Sequence, residues 1–184
     1  MHDIVIGLAK AAILAALHQD THFDLQKALK TYPQLNEKKA SFVTIRTYPQ
    51  NQLRGCIGSL EAHRALYKDI ISNAQSAALR DPRFTPLSLE ELPRIKVEIS
   101  ILSTPEMISY QNIEMLRSKI NPFKDGVILE YKRHSATYLP QVWEELRTFD
   151  LFFKSLCQKA ELDSECLKKH PHIYTYQVTS YKEK

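Results

Sequence analysis

The sequence predicts an α+β fold in which helices flank a mostly antiparallel sheet. Two observations indicate this class. Helical and strand-like segments come in uneven groups, whereas a parallel sheet needs regular strand–helix–strand alternation. The run Ile95–Leu102 also alternates apolar and polar side chains, which is typical of an antiparallel strand with one buried face. A length of 184 residues, 43% of them hydrophobic, suits one ordinary domain.

The first half of the chain is predicted to contain two helices and three strands. A 3.6-residue apolar period predicts helices over residues 4–19 and Leu66–Leu79. Pro82 ends the second helix, because the residue before a proline avoids helical geometry. Residues 20–40 are polar and give no periodic signal. β-Branched and aromatic residues predict strands over Ser41–Thr47, 52–58 and Ile95–Leu102, with a turn at 48–51.

The rest of the chain continues the mixed pattern. Ser88 and Glu91 have the spacing of a capping box, which predicts one short turn of helix before Pro93. Asp125-Gly126 is a strong turn signal. Helical segments are predicted at 112–120, 146–160 and 164–169, and strands at 127–131, 135–139 and 173–181.

Composition narrows the class of protein. No apolar run approaches the ~20 residues of a membrane span, so no membrane partner is expected. The residues 4–17 lack a basic leader, which makes a secretory signal an unfavoured interpretation. The three cysteines form no C-x-x-C pair, which favours reduced thiols in a cytoplasmic protein. The net charge of +4 comes from scattered residues, which weakens but does not remove a nucleic-acid-binding interpretation.

The segment Leu53–Gly58 is the candidate for chemistry. Period-two alternation places Leu53 on one strand face and both Arg54 and Cys56 on the other. Gly55 and Gly58 permit a bulge or the close approach of another group. A guanidinium beside the thiol would favour a reactive thiolate, which would make Cys56 and Arg54 catalytic. The alternative is that Cys56 is a small buried residue and Arg54 a structural ion-pair partner.

The same segment is similar to the signature of a known protein family. Leu53-Arg54-Gly55-Cys56-Ile57-Gly58 resembles the signature of the AMMECR domain family. Further blocks are similar to the family's and follow in its order over about residues 4–181. Ser41 and the turn at residues 132–134 depart from glycines that the family often has. The similar blocks are Arg80-Asp81-Pro82-Arg83-Phe84, Glu90-Glu91-Leu92-Pro93, Val97-x-Ile99-Ser100, Asp125-Gly126-Val127-Ile128-Leu129 and Thr137-Tyr138-Leu139-Pro140-Gln141-Val142-Trp143-Glu144.

The resemblance implies a single domain over residues 1–184, with a larger and a smaller lobe. It implies no established activity and no cofactor. Family members associate with, or are fused to, a Memo-type protein and a radical S-adenosylmethionine enzyme, which are the partners expected here. It implies that Leu53–Gly58 lines a functional surface, and the binding candidates on or near that surface are Gly55, Gly58, Arg80, Arg83, Gln141 and Glu144.

Three functions therefore stay open. The first is a binding or accessory module that uses the surface around Leu53–Gly58. The second is a cysteine-dependent enzyme, in which Glu61, His63 or Glu144 would join Cys56 as base and orienting carboxylate. The third is a nucleic-acid-binding regulator. A metal site is disfavoured because Cys166, His170 and His172 lack a fourth ligand nearby in sequence.

Overall fold

The computed structural model describes residues 1–184 and confirms the predicted α+β class with an antiparallel sheet. The chain divides into two compact units. The helices are α1 (His2–Ala16), α2 (Leu25–Thr31), α3 (Leu66–Leu79), α4 (Ile113–Lys119) and α5 (Phe149–Lys159). The strands are β1 (Ser41–Thr47), β2 (Leu53–Gly58), β3 (Ile95–Leu102), β4 (Glu106–Met107), β5 (Asp125–Tyr131), β6 (His134–Tyr138) and β7 (His172–Lys182).

The first unit comprises Met1–Leu102 and Thr179–Lys184. Its strands lie in the order β2-β1-β3, with antiparallel neighbours, and the end of β7 lies beside β3. Helices α1 and α3 pack on one face of this sheet. The apolar side chains that fill the space between helices and sheet include Val5, Ile13, Val43, Ile45, Ile70, Ala74, Ala77, Val97 and Ile99. The opposite sheet face carries polar side chains and holds most of the candidate site.

A buried polar network fixes α3 to the start of β1. The carboxylate of Asp69, on α3, is almost fully buried and accepts the backbone N–H of Ser41 at 2.8 Å and its hydroxyl at 2.7 Å. Ser59 and Asn73 donate to the same carboxylate at 2.8 and 2.9 Å. A buried carboxylate is tolerated only when its hydrogen bonds are made, so this network is structural.

The second unit, Ser103–Val178, has its own sheet in the order β6-β5-β7, with β4 on the other side of β7. Helices α4 and α5 contribute to an aromatic core. The rings of Trp143 and Phe152 stack with centroids 3.7 Å apart, and the indole N–H of Trp143 donates to the Asp125 carbonyl at 2.9 Å. The last strand is shared, since Thr179 and the residues after it belong to the first unit.

Several sequence predictions agree with the structure, and others are wrong. The bounds of β1, β3 and α3 are those predicted, and Ser88 and Glu91 form the capping box. Asp125-Gly126 is not a turn, because both residues begin β5. A Cβ on Gly126 would lie 2.3 Å from the Tyr176 ring, so glycine is needed there for close packing across the strand pair.

Helix bounds also differ from the prediction. The first helix ends at Ala16, before the predicted end at residue 19, and α5 begins at Phe149, three residues after the predicted start. The polar segment 20–40 contains α2 and a short 3-10 helix, Pro33–Asn36. Asp24 caps α2 by accepting the Lys27 N–H at 2.9 Å, and an aspartate at this position is a local signal for a helix start.

The predicted state of the cysteines is also wrong. Cys157, near the end of α5, and Cys166, in the following 3-10 helix, form a disulfide with their Cα atoms 5.9 Å apart. Only Cys56 is a free thiol. None of the helices combines the length and the apolar character that crossing a membrane requires.

Candidate functional site

Strand β2 lies at the end of the first unit's sheet, so one of its edges has no neighbouring strand. At that edge the backbone N–H of Cys56 donates to the Asp81 carboxylate at 2.8 Å. The Cys56 carbonyl accepts from the Arg83 guanidinium at 3.1 Å. Two side chains from the segment after α3 therefore take the place that a neighbouring strand would otherwise occupy, and they satisfy both outward backbone groups.

Asp81 and Arg83 form a strong local ion pair. The Asp81 side chain is only 2% exposed, whereas the Arg83 side chain is 54% exposed. Two guanidinium nitrogens of Arg83 donate to the carboxylate at 2.9 and 2.7 Å. These bonds, with the backbone N–H of Cys56, hold the pKa of Asp81 far below its ordinary value. The pair raises the pKa of Arg83, and the nearby Cys56 contributes to that rise to a smaller degree.

Arg54 is occupied by a different carboxylate. Its guanidinium donates to both oxygens of Glu91, at 2.7 and 3.0 Å, and this pairing lowers the pKa of Glu91. The Glu91 carboxylate also accepts the Ser88 N–H at 2.9 Å as part of the capping box. The ring of Phe84 lies near both arginines, with centroid distances of 5.8 Å to Arg54 and 5.6 Å to Arg83. The guanidinium of Arg54 is thus balanced by Glu91 and held in place by a bidentate contact.

The two glycines of the segment are required for close packing. A Cβ on Gly55 would lie 2.2 Å from the carbonyl oxygen of Ala77, so β2 approaches the backbone of α3 directly. A Cβ on Gly58 would lie 2.2 Å from the ring of Phe42, its partner across the strand pair. Both positions therefore serve the packing of β2, whatever else that strand does.

The thiol of Cys56 faces the polar side of the sheet, where a row of side chains crosses the strands. Cys56 pairs with Thr44 on β1, and Thr44 pairs with Glu98 on β3. The Thr44 hydroxyl donates to the Cys56 sulfur at 3.3 Å. The Glu98 carboxylate lies 3.6 Å from the ammonium group of Lys182, near the end of β7. A thiol, a hydroxyl, a carboxylate and an ammonium group therefore follow one another across this face.

The model of the AMMECR1 family matches residues 6–181, nearly the whole chain. The chain belongs to the AMMECR1 family. The predicted resemblance is therefore confirmed, and the segment Leu53–Gly58 lies within the matched region.

Archaeal relatives extend this match. Protein MJ0810 of Methanocaldococcus jannaschii is 38% identical over 158 residues, covering 84% of this chain and 79% of that protein. Protein TV1384 of Thermoplasma volcanium is 41% identical over 153 residues, covering 82% of this chain and 76% of that protein. The crystal structure of the uncharacterized protein PH0010 from Pyrococcus horikoshii superposes with a TM-score of 0.80 at 34% identity, covering 100% of this chain and 91% of that one.

The other candidates on this AMMECR1 chain lie in different places. Arg80 is exposed and caps the end of α3. Glu61 and His63 are exposed in the loop after β2, where they pair with each other at 3.1 Å, and neither bonds to Cys56. Gln141 and Glu144 belong to the second unit, where both are exposed in a 3-10 helix, Pro140–Glu144.

Cys166 cannot serve as a ligand in the metal site considered with His170 and His172, because it forms the disulfide. His170 and His172 line a cleft of about 340 Å³ in the second unit, together with Glu130, Tyr131 and Lys132. No group of three histidine, cysteine or acidic side chains is arranged to hold a metal ion.

Sequence reasoning missed four residues that shape the site in this AMMECR1 chain. In the sequence, Asp81 belongs to a motif and a helix stop, and Glu91 belongs to a capping box and a motif, but neither position indicates its arginine partner. Thr44 and Glu98 were not singled out at all. Pairing the polar positions of the three predicted strands could have found these two, because alternate residues of neighbouring strands share one face.

Proposed function

We propose that this chain is a partner-binding accessory module that acts through the surface around Leu53–Gly58. The partners are a Memo-type protein and a radical S-adenosylmethionine enzyme. The observation that carries the proposal is the use of Asp81 and Arg83 at the edge of β2, where they hold the backbone of Cys56. Such contacts fix the shape of a surface, which lowers the entropy cost of binding another protein.

The charges of this surface support a contact role. Arg54 is paired with Glu91, and Arg83 is paired with Asp81. Both guanidinium groups therefore already have a carboxylate partner within the chain. Exposed apolar side chains border the same elements: Leu53 is 37% exposed and Leu89 is 47% exposed. Exposed apolar groups are typical of the central part of a protein interface, and polar groups are typical of its rim.

The experiment measures complex formation between the purified chain and each proposed partner, by size-exclusion chromatography and isothermal titration calorimetry. The surface variants are Leu53→Glu and Leu89→Glu. Leu151→Glu is the matched control, because Leu151 is 53% exposed and lies on α5 in the second unit. We expect at least a tenfold loss of affinity, about 1.4 kcal/mol, for the two surface variants and no change for the control.

Two results would contradict the proposal. One is a wild-type chain that binds neither partner at concentrations of about 100 µM, where even a weak complex forms. The other is an equal effect of all three variants, because the surface around β2 would then have no special role. Circular dichroism and thermal unfolding of each variant verify that a loss of binding is not a loss of fold.

A cysteine-dependent enzyme is the second candidate. The hydrogen bond from the Thr44 hydroxyl to the Cys56 sulfur favours it, because a hydroxyl donor at 3.3 Å stabilises charge on sulfur. Complementation of a deletion strain by Cys56→Ala tests this candidate separately from partner binding. Loss of complementation with partner binding intact would support catalysis, and full complementation would contradict it.

A further inference from the structure

The polar face of the first unit's sheet brings three basic side chains together. Arg46 on β1 and Lys96 on β3 are direct cross-strand partners, and both point to the face that carries Cys56 and Thr44. Side chains in such pairs have Cβ atoms about 5 Å apart, and like charges there are destabilising. Lys182 lies on the same face, because its ammonium group contacts Glu98, which is two residues from Lys96 on β3.

One carboxylate contacts two of these three cations. The Glu98 carboxylate lies 3.9 Å from the Arg46 guanidinium and 3.6 Å from the Lys182 ammonium, so both contacts are long. Glu183 is close in sequence, but its carboxylate is bonded to Lys10 and to the backbone N–H of Val97. Three positive groups and one negative group leave a local charge of about +2.

The third cation lies on an aromatic ring. The ammonium group of Lys96 is 4.0 Å from the centroid of Tyr48, a residue at the tip of the β1–β2 hairpin that is 52% exposed. Tyr48 thus offers ring surface next to the basic side chains. The Arg46 side chain is 39% exposed and that of Lys182 is 71% exposed, so solvent reaches the same groups.

We propose that Arg46, Tyr48, Lys96 and Lys182, here called the basic patch, form a binding site for a phosphate monoester that carries an aromatic ring, such as a nucleoside monophosphate. A phosphate dianion matches the charge of the patch, and a guanidinium binds phosphate oxygens through two parallel hydrogen bonds. The aromatic ring stacks on Tyr48. This site goes beyond the proposed partner surface, because it uses the face of β1 and β3 and not the edge of β2.

The size of the patch favours a small ligand over a nucleic-acid strand. A single-stranded nucleic acid is usually held by several aromatic platforms along a basic groove. The patch has one exposed aromatic side chain, with Lys96 on its ring, and two further cations beside one carboxylate. A single phosphate with a single ring fits that set of groups.

The experiment titrates the wild-type chain with adenosine 5′-monophosphate by calorimetry and by NMR at low ionic strength. Adenosine and ribose 5-phosphate serve as the probes that lack the phosphate and the ring. We expect the monophosphate to bind, ribose 5-phosphate to bind about tenfold more weakly, and adenosine not to bind measurably. Affinity should fall as salt rises from about 20 to 200 mM, because the contacts are exposed charges.

Variants locate the site. Arg46→Gln and Lys96→Gln should each lower the affinity about tenfold, and Tyr48→Leu should reduce it to that of ribose 5-phosphate. Lys168→Gln is the matched control, since Lys168 is an exposed cation that pairs with Glu165 in the second unit. Unchanged affinity in Arg46→Gln and Lys96→Gln would overturn the proposal. So would the absence of monophosphate binding up to about 10 mM, or a preference for an oligonucleotide over the monophosphate of more than about a hundredfold.

Discussion

The carboxylate of Asp81 accepts the backbone N–H of Cys56 at 2.8 Å, although 25 residues separate the two in the sequence. This bond and the one from Arg83 to the Cys56 carbonyl close the outer edge of β2. The end strand of the second unit has a similar protection. There the Thr137 carbonyl on β6 accepts from the ammonium group of Lys159 at 2.9 Å. Basic side chains at strand edges prevent uncontrolled pairing with other chains.

Removal of the Asp81 carboxylate should destabilise the protein strongly. Asp81→Ala deletes the acceptor of two backbone N–H groups and the partner of Arg83 at a buried position, which should lower the free energy of unfolding by about 2–3 kcal/mol. Urea unfolding followed by circular dichroism measures the change. The control is Asp150→Ala, which breaks an exposed pair with Arg117 and should cost about 0.5 kcal/mol or less. Equal losses for the two variants would show that Asp81 has no special role.

Stability should fall in acid because of the same carboxylate. The pKa of Asp81 in the fold lies below its ordinary value of 3.8, mainly through Arg83, and that of Glu91 lies below 4.5, mainly through Arg54. A lowered pKa stabilises the fold at pH values above the unfolded pKa, and this stabilisation is lost as the pH falls toward the folded pKa. We therefore expect the free energy of unfolding to drop from about pH 5 downward.

Asp81→Asn tests the origin of that drop. The amide oxygen of asparagine can still accept the Cys56 N–H, but it does not titrate. Urea midpoints measured between pH 7 and pH 3 should therefore decline less steeply in the variant than in the wild type, with Asp150→Asn as the control. Parallel curves for wild type and Asp81→Asn would assign the acid sensitivity to other groups.

The glycines of the Leu53–Gly58 segment should differ in their tolerance of a methyl group. Gly55→Ala should cost about 3 kcal/mol or more, because the added Cβ meets the backbone oxygen of Ala77 at 2.2 Å. Gly58→Ala should cost less, about 1–3 kcal/mol, because it meets the Phe42 ring, which can rotate. Gly7→Ala on α1 is the control. It should cost about 1 kcal/mol or less, since the added Cβ would lie 3.2 Å from the Phe23 ring. Thermal unfolding of the three variants gives the order, and a Gly55→Ala protein as stable as Gly7→Ala would contradict it.

Local patterns in the sequence were sufficient for much of the fold but for less of the site. The alternation in β3 and the apolar period of α3 give their bounds, because each pattern records which face is buried. The contact of Asp81 with Cys56 has no signal in the local sequence, since it forms only when the segment after α3 returns to the edge of β2. The disulfide of Cys157 and Cys166 also has no signal in the sequence, because the two thiols meet only once α5 has ended and the chain has turned back.

The disulfide in the second unit leaves one of the three cysteines as a free thiol. Alkylation of the folded, unreduced protein followed by peptide mass spectrometry should label Cys56 alone, because Cys157 and Cys166 are bonded and buried. The double variant Cys157→Ser/Cys166→Ser should lose about 2–3 kcal/mol of stability, as expected for a closed loop of this length. Three labelled cysteines without reductant would show that the bond does not form in the protein as purified.

The backbone and the sulfur of Cys56 should contribute differently to partner binding. In the binding proposal the contacts with Asp81 and Arg83 involve the N–H and carbonyl of residue 56, which every side chain except proline retains. Cys56→Ala should therefore bind the partner proteins within about twofold of the wild type, whereas Arg83→Ala should weaken binding about tenfold, because it frees the strand edge and leaves Asp81 without its cation. Calorimetry with both variants gives the two affinities. If Cys56→Ala lost binding as completely as Arg83→Ala, the thiol itself would be part of the contact, and the edge of β2 would no longer be the sufficient feature of the surface.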